Sequence, residues 1–241
     1  MRYNQHQIVM FILVVSILLS MCVQTNTHTQ TTKEQASLNL GEIKFLLKNI
    51  TIRAYSYSQK EMGCEVNYSF IVDVIEGKKE IIWFKKVESN CGNRLLYERL
   101  NKSLSGAVLI DTGDFYYLYM PSVYPYIVKY KPQNSIIRYK GLPIVTFYNL
   151  IETFDKAKNV EYAGKSKLFV NGSSIDADVI RYQFDDGLLG KVSVELYVWN
   201  KLPVKAVLTI PYYNATIVTA IEKYSDRVED FNLSAYEIVE R

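Results

Sequence analysis

The stretch GKVSVELYVWNKLPVKAVLTI, residues 190–210, decides the fold. Val192, Val194, Leu196 and Val198 fall on one face of an extended chain, and Ser193, Glu195, Tyr197 and Trp199 on the other. After Asn200–Lys201 the alternation resumes through Val204, Ala206, Leu208 and Ile210. A period of two over this length predicts two half-buried antiparallel strands around a tight turn. Both faces carry large side chains. One is therefore core, and the other needs water, a second layer or a guest.

Outward from this hairpin the pattern repeats. Residues 160–172, 175–187 and 215–226 read as strands, as do 51–59, 64–77, 79–89, 93–100 and 124–132. Residues 105–120 read as two strands about Thr112–Gly113–Asp114, a tight-turn sequence. The total is about eleven strands. Two segments have helical spacing instead. In 35–50, Leu40, Ile43, Leu47 and Ile50 share a face, weakened by Gly41. In 142–159, Phe147, Leu150, Ile151 and Phe154 fall at i, i+3, i+4 and i+7, with Pro143 suited to the first turn. No period of 20–50 residues recurs, which excludes propellers and solenoids.

The N-terminus reads as an export signal. Arg2 and His6 precede a 16-residue apolar run, Ile8–Val23, right for a signal peptide and short for a membrane span. Residues 1–23 are thus a signal peptide or N-terminal membrane anchor, 24–37 a polar Thr/Gln spacer, and 38–241 one domain. "LLSMC" (18–22) has the form of a lipobox with Cys22 as lipid acceptor, although Met21 replaces the expected small residue. Lipidation, an uncleaved anchor and plain secretion all place the body outside the cytoplasm. Two further features agree. Cys64 and Cys91 are the only cysteines of the body, an even pair that in an exported chain predicts a disulfide, with two separate thiols as the alternative. N-x-[ST] sequons occur at Asn49, Asn67, Asn101, Asn171, Asn214 and Asn232, where roughly one or two are expected by chance. That excess predicts N-glycosylation and a surface position for those side chains.

Composition excludes several functions. Hydrophobic residues make up 49% of the chain, enough for a large core. Beyond residue 32 the chain holds 27 basic and 25 acidic residues, so it lacks the concentrated basic face that nucleic acid requires. Lys78–Lys79 and Lys85–Lys86 read as solvated strand positions. The two histidines, His6 and His28, both precede the body. Ser-His-Asp and Cys-His catalysis are therefore absent, as are histidine zinc sites. No dinucleotide-binding, P-loop or nucleophile-elbow motif occurs. Asp111–Thr112–Gly113–Asp114 has the aspartic-protease triplet only once, and a turn accounts for it equally well; Asp185–Asp186–Gly187 is a second turn. The residues thus predict no enzyme, no cofactor and no metal.

The order of segments resembles the lipoprotein-carrier superfamily, the LolA/LppX-like proteins. "GAVLIDTGDFYYLYMP" (106–121) looks like the family's strand, D-x-G turn and aromatic strand ending in proline. "VSVELYVWNKLPVKAVLTI" (192–210) looks like its strand, turn, L-P, strand signature, with Asn200–Lys201 where an acid is usual. "YSDRVEDFNLSAYEI" (224–238) looks like its closing strand and tail. The resemblance implies an α+β fold, a strongly curved antiparallel half-barrel whose N-terminal and mid-chain helices cover the concave face. It also implies a lipid- or lipoprotein-binding carrier, membrane-tethered through the N-terminus, with acyl lipid or lipoprotein as partner. Phe147, Leu150, Ile151 and Phe154 would then form a lid facing Leu196, Leu208 and Ile217. The alternative is a glycosylated cell-surface or virion interaction module in which the same side chains plug the core.

Overall fold

The computed structural model describes residues 51–61, 64–75, 79–90, 94–139, 142, 144–225 and 227–241. The predicted helix 35–50, Cys22, Asn49 and Cys91 lie outside the described residues. The chain divides into Met1–Ser37 and Leu38–Arg241, and every described residue belongs to the second unit.

Twelve strands form one open sheet. In chain order they are β1 Thr51–Glu61, β2 Cys64–Ile75, β3 Lys79–Ser89, β4 Val108–Asp111, β5 Tyr116–Tyr119, β6 Ile127–Tyr130, β7 Lys158–Val170, β8 Ser173–Asp186, β9 Gly190–Trp199, β10 Leu202–Ile210, β11 Ala215–Ile221 and β12 Ile238–Glu240. Their spatial order is β12-β6-β5-β4-β3-β2-β1-β11-β10-β9-β8-β7. All pairings are antiparallel except β12 with β6. The sheet is thus two meanders zipped together by β1 and β11, where Gln59 stands opposite Ile217.

The hairpin 190–210 folds as its alternation predicts. Val192, Val194, Leu196 and Val198 are buried, while Ser193, Glu195, Tyr197 and Trp199 are half-buried on the other face. Trp199 pairs with Leu202, leaving a two-residue turn in which Asn200 and Lys201 both have positive φ, 48° and 66°. Such a turn matches the twist of the strands it joins. The D-T-G-D segment is likewise a turn, in which Gly113 has φ 89° and donates to Asp111 Oδ1 at 2.8 Å.

Two helices are described. The first, α1, spans Arg94–Leu104 and corrects the strand expected at 93–100. Leu96, Leu100 and Leu104 recur every four residues, a helical period that the shorter window hid. Leu104 is buried in the core and Leu100 packs against it. The second, α2, spans Phe147–Phe154, shorter than the expected 142–159. Its start is set by a capping box: Thr146 Oγ1 accepts the Asn149 N–H, and Asn149 Oδ1 accepts the Thr146 N–H. Asp155 caps its end, and β7 begins at Lys158.

The core lies on one face of the sheet and runs from Phe70 and Val72 on β2 and Phe84 on β3 to Tyr182 on β8, Leu196 on β9, Leu208 on β10 and Ile217 on β11. A smaller second core lies on the other face, where Phe231 of the C-terminal tail covers Ile81, Val108, Ile110 and Ile127. Phe231 sits 5.8 Å from the rings of both Trp83 and Tyr119. Over β3–β6, then, the second face is covered by the chain's own tail. Over β8–β10 it is a polar surface, with Arg181 paired to Glu195 at 2.8 Å and Lys205 5.0 Å above the Tyr197 ring.

Candidate functional site

The segment that positions the site is the connection from β6 to β7, which contains α2. Thr146, just before the helix, donates its hydroxyl to Glu80 Oε2 on β3 at 2.7 Å. Four residues on, the Leu150 carbonyl accepts the Tyr182 hydroxyl of β8 at 3.3 Å. β3 and β8 stand six places apart in the sheet order, which in a flat sheet is about 29 Å. Four helical residues span only about 6 Å. The two contacts coexist only if the sheet bends around α2. The same connection repeats the bridge just upstream: Ile136 N–H donates to Asp186 Oδ2 on β8 at 2.6 Å, and Tyr139 Oη donates to Asp111 Oδ2 on β4 at 2.9 Å.

The apolar stripe of α2 enters this hollow. Phe147 and Leu150 are buried, 2% and 0% exposed, and the half-buried Phe154 meets the Tyr182 ring edge-on at 5.3 Å. Leu196, Leu208 and Ile217 belong to the same core, with Leu208 directly opposite Ile217. Ile151 is half-buried and stands outside the cluster. Six of the seven residues expected around the lid thus share one core. The ring that α2 meets directly is Tyr182 on β8, a residue that the stripe argument did not name.

Beside the apolar stripe lies a buried polar cluster that spacing alone did not reveal. Arg138, 11% exposed at its side chain, lies 3.3 Å from Asp111 Oδ2 and 2.6 Å from Glu152 Oε2, and donates to the Gly113 carbonyl at 2.9 Å. Burial raises Glu80 to about 8; the Thr146 hydrogen bond opposes this, and the Asp111 carboxylate adds to it. Burial also pushes the Tyr139 hydroxyl well up, so it remains a proton donor to Asp111. One signal did exist in the sequence. In Lys79–Phe84 the period of two puts Glu80 on the same face as Ile82 and Phe84, a carboxyl on the core side. The cluster holds its charges in pairs, and Asp111 is engaged by the Gly113 N–H, Arg138 and Tyr139 while Asp114 is exposed. That is the chemistry of an anchor for α2.

Two of the cavities walled by described residues lie along β8. One, about 610 Å³, lies beside α2 and is lined by Gln133, Arg138, Asn149, Glu152, Lys156 and Asp186 among others. The other, about 400 Å³, includes Glu161, Arg181, Gln183 and Glu195 in its wall. Both are lined mainly by polar groups. Among the described residues no group of three or more His, Cys, Asp or Glu is placed to hold a metal, and no helix is long and apolar enough to cross a membrane.

The sequons differ in environment. Asn214 and Asn232 are exposed, Asn67 and Asn101 half-buried. Asn171 is exposed, yet its amide clasps Tyr224, accepting the N–H at 2.9 Å and donating to the carbonyl at 3.4 Å. Asn101 Oδ1 accepts the Val87 N–H at 2.9 Å.

No protein-family profile and no curated protein matches the chain. Solved structures do. A LolA superfamily protein from Nitrosomonas europaea is 13% identical, with 81% of this chain and 92% of that one covered at a TM-score of 0.36. A DUF1329 family protein from Desulfovibrio piger is 11% identical over 82% and 95%, at 0.42. An outer membrane lipoprotein-sorting protein domain from Vibrio parahaemolyticus is 12% identical over 73% and 85%, at 0.37. The first of these is described as a member of the superfamily that the order of segments resembles.

Proposed function

We propose that this chain is an exported, non-enzymatic binding domain of the lipoprotein-carrier kind. It holds an acyl lipid or lipoprotein against the inner face of a half-barrel, with α2 as the lid. The observation that carries this reading is α2 lodged between β3 and β8, strands six places apart, with Phe147, Leu150 and Phe154 turned onto an apolar layer that continues to β11. As a lid, α2 would cover a large apolar surface, and burial of an acyl chain there would contribute about 25 cal/mol per Å². The absence of histidine after residue 28 supports binding over catalysis. The apolar run Ile8–Val23 supports export, with membrane tethering through the N-terminus.

A second reading, a surface interaction module with a plugged core, is favoured by one fact: Leu150 is 0% exposed. One experiment separates the two. Organic extracts of the purified protein are searched by mass spectrometry for acyl lipids, and Leu150→Trp is assayed for lipid uptake and thermal stability. The carrier reading expects bound lipid, with uptake lost in the variant at little cost in stability. Unchanged uptake with a large drop in melting temperature overturns it and leaves the plugged module.

A further inference from the structure

The turn between β10 and β11 carries an exposed aromatic pair. Pro211–Tyr213 form a single 3₁₀ turn, Tyr212 is 80% exposed and Tyr213 39%, and their rings meet edge-on at 4.9 Å. Asn214 ends the turn in the left-handed conformation, φ 48° and ψ 40°, with its N–H bonded to the Pro211 carbonyl at 3.1 Å. Its side chain is exposed and makes no described hydrogen bond, unlike that of Asn171. Thr216, the third residue of this sequon, stands opposite Thr209 on β10. Thr209 is exposed, so the sequon hydroxyl lies on the outward face of the sheet.

We propose that Asn214 carries an N-linked glycan whose first sugar packs on the ring of Tyr212. The proposal rests on the export reading, since the donor acts outside the cytoplasm. That donor is an oligosaccharide linked through phosphate to a polyprenyl lipid. The Asn214 Nδ2 bonds to C1 of the first sugar, and the C1–O bond to phosphate breaks. The phosphate leaves with the electron pair, and Nδ2 gives up one of its two protons to a base of the transferase. A pyranose presents an apolar C–H face, which suits the electron-rich face of an aromatic ring. The tyrosine two residues before the asparagine, at a tight turn, provides such a face. Two exposed rings at a hairpin tip, otherwise an apolar liability, become the seat of the sugar.

The test uses the full chain purified from cells that N-glycosylate exported proteins. Intact mass and glycopeptide mapping should find a glycan on Asn214, lost in Asn214→Gln. Protein recovered outside the cytoplasm with Asn214 unmodified overturns the proposal and leaves the export reading standing. Protein retained in the cytoplasm overturns both. Packing is tested by a cycle of Tyr212→Ala against Asn214→Gln. In glycosylated protein Tyr212→Ala should lower the melting temperature by about 2–4 °C, and in the Asn214→Gln background it should change nothing measurable. Equal losses in both backgrounds overturn the packing.

Discussion

Glu80 and Thr146 meet across 66 residues of chain, the Thr146 hydroxyl donating to the Glu80 carboxyl at 2.7 Å. The same hydroxyl accepts the Asn149 N–H at 3.3 Å and so caps α2. One buried carboxyl on β3 thus holds the start of α2.

This contact predicts a pH dependence. The folded-state value of Glu80 is raised from 4.5 to about 8, chiefly by burial. Between those values the folded state binds a proton that the unfolded state has released. Glu80's contribution to stability is therefore fully present below about pH 4.5 and is lost as pH rises through about 8, a difference of a few kcal/mol. Of the charged groups that face it, Arg138 tempers the effect, whereas Asp111 and Glu152 add to it. Urea melts of the native protein and Glu80→Gln between pH 5 and 9 should show a downward slope only in the former. An identical slope in both would sink the assignment.

Arg138→Ala should be strongly destabilising. It removes the cation from Asp111, whose side chain is 4% exposed, and leaves that carboxylate buried beside Glu80. The expected cost is about 3–5 kcal/mol, partly recovered by adding Asp111→Asn. Chemical denaturation of the single and double variants measures this; a cost under about 1 kcal/mol would show that the pair is solvated in solution.

Cys64 and Cys91 should be disulfide-bonded. Val66 pairs with Ser89, and at the next step Asn90 N–H donates to the Glu65 carbonyl at 3.2 Å, while Asn90 Oδ1 accepts the Glu65 N–H at 2.7 Å. Cys91, the next residue, lies outside the described residues, and the pairing rests on the even cysteine count of an exported chain. Closing a loop of about 27 residues contributes roughly 3–4 kcal/mol. Non-reducing peptide mapping should recover the 64–91 cross-link, and thiol titration of unfolded protein should find neither cysteine free.

Lys201→Gly should stabilise the hairpin modestly. Lys201 has φ 66°, a conformation that costs an L-residue about 1 kcal/mol and glycine almost nothing. Part of that gain is offset by the greater freedom of glycine in the unfolded chain. The expected net is a few tenths of a kcal/mol, seen as a small rise in melting temperature; a fall would mean that the Lys201 side chain holds the turn.

Alternation by itself determined where the strands run and which face is core. Residues 190–199 and 202–210 form as read, because a period of two translates directly into side-chain direction on an extended chain, whatever lies across from it. Turn chemistry at Asn200–Lys201 and Asp111–Gly113 was legible for the same local reason. Tertiary structure decided the rest. The segment 94–104 had enough apolar residues for either a strand or a helix, and packing of Leu100 and Leu104 on the core settled it as α1. Lys85 is an extra residue in β3, since Ser69 pairs with Lys86 and Phe70 with Phe84; that bulge lets both Phe84 and Val87 face inward. Above all, no local pattern says that Glu80 will meet Thr146 while Leu150 meets Tyr182. Those partners are chosen by how far a twelve-stranded sheet bends, and the bend is set by packing summed over strands distant in the chain.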